Sequence, residues 1–119
     1  MEKESEEVGK KYDSGKLRWN TMQPLFKELE QVVQILDEGI DKYSLNNWQS
    51  VKPFEERYSN ALMRHVVAYM EGEYKDQESG HAHLAHAICN CLFLMWGYDI
   101  QEIQENGKTN KDRVTLSST

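Results

Sequence analysis

Cysteine is scarce in this chain, with only Cys89 and Cys91 among 119 residues. Two residues apart on a helix, they would point about 200° apart around its axis. No disulfide framework is expected, and reduced thiols in a cytosolic protein are the simple reading. Positive charge is also short: 14 Lys and Arg stand against 20 Asp and Glu, a formal net charge of −6. That balance excludes a general nucleic-acid binder, which carries a basic surplus. Long apolar runs are missing. The strongly apolar stretch Ala82 to Trp96 has 15 residues and contains two histidines and an asparagine. It is too short and too polar for a membrane span. The opening MEKESEEVGK has no apolar h-region, so it does not read as a secretory signal. Alternating β-branched runs and hairpin turn chemistry are absent, which removes strands from the expectation. A Gly-x-Ser-x-Gly elbow, a P-loop and a dinucleotide fingerprint are absent as well.

What is present fits one small domain. Residues 1–9 carry a net −3 and read as a disordered acidic leader, and residues 105–119 read as a polar tail. Residues 10–104 between them form the domain. Three helices are legible there. The first is expected from Pro24 to Tyr43, with Leu25, Leu29, Val32, Val33, Leu36 and Ile40 on one apolar face. The second is expected from Pro53 to Met70, with Pro53 at its start and Gly72 just past its end. The third, opened by Ser79 or Gly80, is expected to run to Trp96. It is apolar nearly all round, the pattern of a central buried helix. Gly97 to Asn106 offers a further helical piece. The fold expected is all-α, a small helical bundle completed by oligomerisation, because so short a chain buries little core alone.

Several residues in this frame can carry chemistry. His83, His86 and Asn90 recur at helical spacing in the most apolar segment. Burying them costs free energy unless each finds a partner. They either fix the register of the bundle or line a site, to which His65 on the second helix adds another nitrogen. The preceding loop packs Glu71, Glu73, Asp76 and Glu78 into eight residues. It is either a solvated acidic loop or a hard-cation site, for which Mg²⁺ is the natural ion. A zinc site using the cysteines is disfavoured by their divergence on a helix. Cys89, mid-helix in apolar company, reads as an inert thiol.

Lys16, Lys42, Arg57 and Arg64 form a complementary basic set suited to phosphates, joined in the N-terminal loop by Lys11 and Arg18. Singly, each would equally serve as a solvated surface charge. Trp19, Tyr43 and Trp48 are interleaved with them and offer faces for base stacking. Asn47, before Trp48, can read a base edge through paired hydrogen bonds. The alternative for Trp19 and Trp48 is that they pin loops onto the bundle.

Four blocks give the chain a family likeness. They are Lys11-Tyr12-Asp13-Ser14-Gly15-Lys16 with Trp19, and Gly39-x-x-Lys42-Tyr43 with Asn47-Trp48. They continue as Tyr58-x-x-Ala61-x-x-Arg64-His65, and end in Gly72-Glu73-x-x-Asp76-x-Glu78-Ser79-Gly80-x-x-His83-Leu84-Ala85-His86. Over roughly residues 10 to 96 the chain resembles a phage family of dATP/dGTP diphosphohydrolase-like proteins, related to the MazG-like all-α NTP pyrophosphohydrolases. The resemblance implies a helical, oligomeric, Mg²⁺-dependent enzyme in the host cytoplasm, splitting a purine deoxynucleoside triphosphate into monophosphate and pyrophosphate. On that mapping Glu73, Asp76 and Glu78 are candidate metal ligands. Glu73, His83 and His86 are candidate catalytic groups, and His65, His83 and His86 are candidate ligands or phosphate contacts. Lys16, Trp19, Lys42, Tyr43, Asn47, Trp48, Arg57, Arg64 and His65 are candidate nucleotide contacts. MazG-like enzymes place Glu-x-x-Glu and Glu-x-x-Asp on successive helices, whereas this chain has His83-x-x-His86 where the second pair belongs. That departure keeps open a non-catalytic nucleotide-binding protein, a sponge for a host signalling nucleotide, and a bundle whose polar groups only set register.

Overall fold

The computed structural model describes residues 9–108; the expected leader over residues 1–8 and tail from 109 onward lie outside them. Among the described residues the fold is all-α. Three helices carry it: α1 (Phe26–Lys42), α2 (Phe54–Met70) and α3 (His83–Lys108). Two short 3-10 turns, Trp19–Leu25 and Asn47–Ser50, precede α1 and α2. Both α1 and α2 pack on α3, which is the central element.

Pro24 lies inside the first 3-10 turn rather than opening α1. It has no N–H to give, so the regular helical ladder starts after it, at Phe26. From there Val32, buried to 2% exposure, packs with Ile35 and Leu36 against Ala82, Ala85, Cys89 and Phe93. Small side chains on α3 let α1 approach closely enough for the Cys89 thiol to donate to the Val32 carbonyl at 3.7 Å. Burial pushes that thiol up to about 11, so it stays protonated and inert at neutral pH.

A second, aromatic layer joins α2 to α3. Trp48 stacks on Phe93 with ring centroids 4.5 Å apart and meets Trp96 edge-on at 4.9 Å. The Tyr58 hydroxyl donates to the Trp48 carbonyl at 3.0 Å. Such pairs add roughly 0.5–1.5 kcal/mol each beyond the area they bury. Asn46, in the left-handed region at φ 62°, swings the chain into the turn that delivers Trp48.

The expected end of the third helix at Trp96 is corrected here: α3 continues through Gly97 to Lys108. Gly97 does not stop the helix. A Cβ there would sit 2.5 Å from Cε2 of Phe54, so the glycine is what lets the start of α2 press onto α3. The start of α3 also moves. It begins at His83, and the Ala82 N–H just before it is satisfied by Gln31 Oε1 from α1 at 3.0 Å. The expectation of a helix buried all round holds on one side only. Leu84, Ile88, Leu92 and Met95 form an exposed stripe along α3, from 37% to 63% accessible. Tyr69 on α2 is likewise exposed.

Candidate functional site

The site is assembled by how α2 ends. Gly72, at φ 102°, closes the helix: its N–H donates to the Tyr69 carbonyl at 3.0 Å, and the next N–H, of Glu73, reaches the Ala68 carbonyl at 3.0 Å. This is a Schellman motif, and it requires the left-handed residue that glycine supplies. The stop leaves Glu73 at the mouth of the following loop. There the Asp76 N–H donates to the His81 carbonyl at 2.8 Å and the His83 N–H to the Tyr74 carbonyl at 2.8 Å. Lys75 and Ala82 form an isolated antiparallel bridge between these bonds. Gly80, at φ 80°, makes the tight return. The loop is therefore pinned from Tyr74 to His83 and brings its acids against the histidines of α2 and α3.

His83 is at the centre, only 4% exposed. Its Nε2 lies 2.9 Å from Glu73 Oε1 and its Nδ1 lies 2.9 Å from Nδ1 of His65. A carboxylate only accepts, so His83 donates through Nε2–H and its Nδ1 carries a lone pair. His65 then donates through Nδ1–H. His65 also stacks on His86 with centroids 4.5 Å apart and planes 8° from parallel. Burial lowers the His65 pKa, and the nearby His86 and His83 rings lower it further. Burial likewise lowers His86, against the pull of Asp76. Two imidazolium rings stacked face to face would repel, so the arrangement disfavours protonating both at once.

Asp76 and Ser79 complete the cluster. The Ser79 N–H donates to Asp76 Oδ2 at 3.0 Å, and Ser79 Oγ lies 2.6 Å from His86 Nε2. Asp76 Oδ2 itself is 3.9 Å from His86 Nε2. Burial raises the Asp76 carboxyl, but the hydrogen bonds from Ser79 and the charges of His86 and His65 outweigh it, and the group stays below its ordinary value. Asn90, buried one turn on, donates to the His86 carbonyl at 2.9 Å. It serves the helix and not the cluster.

One ligand atom each from His65, Asp76 and His83 falls within 4.8 Å of the others. Two imidazole nitrogens and one carboxylate oxygen make a donor set for first-row transition metals. Mg²⁺ prefers oxygen throughout, so this set does not fit it. The expected oxygen set of Glu73, Asp76 and Glu78 is not gathered at one point among the described residues. Asp76 belongs to the cluster above, Glu73 is bonded to His83, and Glu78 is exposed.

The sequence profile of the "dATP/dGTP diphosphohydrolase, N-terminal" family matches residues 6–108. The chain belongs to this family. It is also 34% identical over 106 residues to a dATP/dGTP diphosphohydrolase of Salmonella phage PMBT28, an alignment covering 89% of this chain and 33% of that protein. The chain thus spans about a third of the length of that relative. No solved structure matches.

The remaining expected contacts of this family member fall in different places. Lys16 and Trp19 line an open depression of about 410 Å³ with Leu17, Arg18, Thr21 and Met22. Tyr43 is 64% exposed and has the Lys42 ammonium 5.7 Å from its ring centre. Arg64 is exposed beside His65, whereas Arg57 donates to the Lys52 carbonyl at 3.3 Å. Asn47 opens the turn that carries Trp48. The Trp48 ring is engaged with Phe93 and Trp96, so it packs the bundle instead of offering a face. Sequence reasoning missed His81, which bonds both oxygens of Glu38 at 2.9 and 3.0 Å and ties α1 to the loop. It also gave Ser79 no part in the site. Neither contact to His81 or Gln31 has a local signal, because their partners are 43 and 51 residues away.

Proposed function

We propose that this chain handles a purine deoxynucleoside triphosphate and hydrolyses it to monophosphate and pyrophosphate, working as a homo-oligomer in the host cytoplasm. The observation that carries the reading is the family match across residues 6–108 together with a pinned cluster of imidazoles and a carboxylate inside that span. No helix among the described residues is long and apolar enough to cross a membrane. In this reading Mg²⁺ arrives with the triphosphate and neutralises its charge. Lys16, Lys42 and Arg64 are exposed cations for its oxygens, and Trp19 and Tyr43 are exposed faces for its base.

The chain's own groups supply a route for the proton. His86 is unprotonated at neutral pH, and Ser79 Oγ is within hydrogen-bond reach of its Nε2. A water attacking the α-phosphorus gives its proton to Ser79 Oγ as the Ser79 proton passes to His86 Nε2. Ionised Asp76 then faces the imidazolium that forms. Pyrophosphate leaves as the phosphorus–oxygen bond to the β-phosphate breaks. His83, held by Glu73, positions His65 and the loop.

Incubating the pure protein with dATP, dGTP and the pyrimidine triphosphates, with Mg²⁺, tests this by chromatography of the products. Monophosphate and pyrophosphate from the purine substrates, lost in His86→Ala, are expected. Purine triphosphate recovered intact at high enzyme concentration would overturn hydrolysis. Intact nucleotide released only on denaturing the protein would point to the sponge, for which the His-x-x-His in place of a carboxylate pair is the favouring feature.

A further inference from the structure

We infer that His65 Nδ1, His83 Nδ1 and one Asp76 oxygen are the ligands of a resident transition-metal dication of the Mn²⁺ to Zn²⁺ class. The inference deepens the hydrolase reading by naming an ion at the same site, and it rests on that reading only for what the ion is used for.

Four features point to a metal and not simply to a satisfied polar core. The two Nδ1 atoms come from different helices and converge to 2.9 Å. Nitrogens bound at about 2.1 Å to one ion lie about 3.0–3.4 Å apart, so the rings admit the ion by opening up to about half an ångström and turning toward a shared point. The second feature is the other side of His83. Its Nε2–H points at Glu73 Oε1 at 2.9 Å, which fixes the tautomer whose Nδ1 lone pair faces the site. A carboxylate behind a histidine in this way is the usual second layer of a metal centre. Asp76 adds an anionic oxygen within 4.8 Å of one ring nitrogen of each histidine, and its carboxylate is already aimed by the Ser79 N–H. Finally, the loop that carries Asp76 is pinned on both sides by main-chain bonds to His81 and from His83 to Tyr74, so Asp76 and His83 are held in place before an ion arrives.

The chemistry of the set selects the ion. Two imidazoles and one carboxylate suit Mn²⁺, Fe²⁺, Co²⁺ or Zn²⁺. Three protein ligands leave at least one position open, as in sites that bind water or substrate oxygen. Cys89 is not part of the set, because its protonated, buried thiol donates to Val32 instead. Binding would cost His65 its bond to His83 and move its proton to Nε2, while the Glu73–His83 bond would persist.

Co²⁺ is the probe, because its visible d–d bands report nitrogen and oxygen ligation independently of catalysis. The untagged chain is stripped with chelator and titrated with Co²⁺. The expected result is one equivalent per chain with visible bands, unaffected by a hundredfold excess of Mg²⁺ and abolished by stoichiometric Zn²⁺, and a raised melting temperature. His65→Gln and Asp76→Asn, checked for folding by circular dichroism, are expected to weaken Co²⁺ binding by a hundredfold or more. Glu73→Gln is expected to weaken it about 10- to 100-fold. Absence of stoichiometric bands in the folded wild type, or binding unchanged in folded His65→Gln and Asp76→Asn, overturns the inference. Full hydrolysis of a purine triphosphate by the stripped protein with Mg²⁺ alone overturns the ion's part in the reaction, while leaving the hydrolase reading intact. Co²⁺ bound at these residues without any hydrolysis supports the site and removes the hydrolase.

Discussion

His65 and His83 face each other across two helices with their Nδ1 atoms 2.9 Å apart, and the far nitrogen of His83 is bonded to Glu73. Without metal, removing either ring strands a polar partner. His83 is buried and has two partners, whereas His65 is only partly buried. His83→Ala is therefore expected to destabilise the chelator-treated protein by about 1–3 kcal/mol, and His65→Ala by less. Because the two side chains touch, the double variant is expected to lose less than the sum of the single losses. Urea melts of the four proteins measure this. Strictly additive losses would mean that the contact contributes nothing.

Acid should loosen the bundle. His65 and His86 are held below their ordinary value in the fold, chiefly by burial. The unfolded chain takes up protons near pH 6.5, where the folded chain still resists them. Stability is then flat above that point and falls as pH drops below it, levelling off only beneath the folded values. Urea midpoints between pH 8 and pH 5 are expected to decline on the acid side. In His65→Ala and His86→Ala the decline should be shallower. A wild-type midpoint that rises toward pH 5 contradicts the arrangement.

How legible this was from the sequence depended on range. Gly72 could be read as a helix stop, and it is one, because a Schellman closure is decided by a few adjacent residues. Gly97 looks the same in sequence but has a different cause. Its reason is Phe54, 43 positions earlier, and nothing local distinguishes a glycine that ends a helix from one that lets another helix in. The His83, His86 and Asn90 spacing correctly marked polar groups on a greasy helix. It could not separate His83, turned to Glu73 and His65, from Asn90, turned back onto its own helix. The roles of Ser79 and Glu38 depend on loop closure and on α1 meeting that loop, which no periodicity encodes.

Gly97→Ala tests the close approach directly. In an open helix the change would stabilise by about 1 kcal/mol. Here the new Cβ would meet the Phe54 ring at 2.5 Å, and the ring already sits against Tyr58 and Trp96. Overpacking of this kind costs about 1–3 kcal/mol. The net result is expected to be a lower melting temperature, partly restored by adding Phe54→Leu. A Gly97→Ala variant more stable than wild type would show that the ring moves aside freely.

The last expectation concerns what covers α3. Its buried apolar set is small, and Leu84, Ile88, Leu92 and Met95 face outward in one continuous row. Fully burying such side chains yields roughly 1.5–3 kcal/mol each, enough to hold a second copy if both rows meet. Cys91 lies on the same side and adds no charge to oppose it. Sedimentation of the wild type is expected at a multiple of 13.9 kDa. Ile88→Glu would place a carboxylate in the middle of the row, where burying it unpaired costs several kcal/mol. That variant should sediment at the monomer mass with its helical signal retained, because Ile88 contributes nothing to the buried cluster within one chain. A wild type that stays monomeric at micromolar concentration removes the second copy as the occupant of this face.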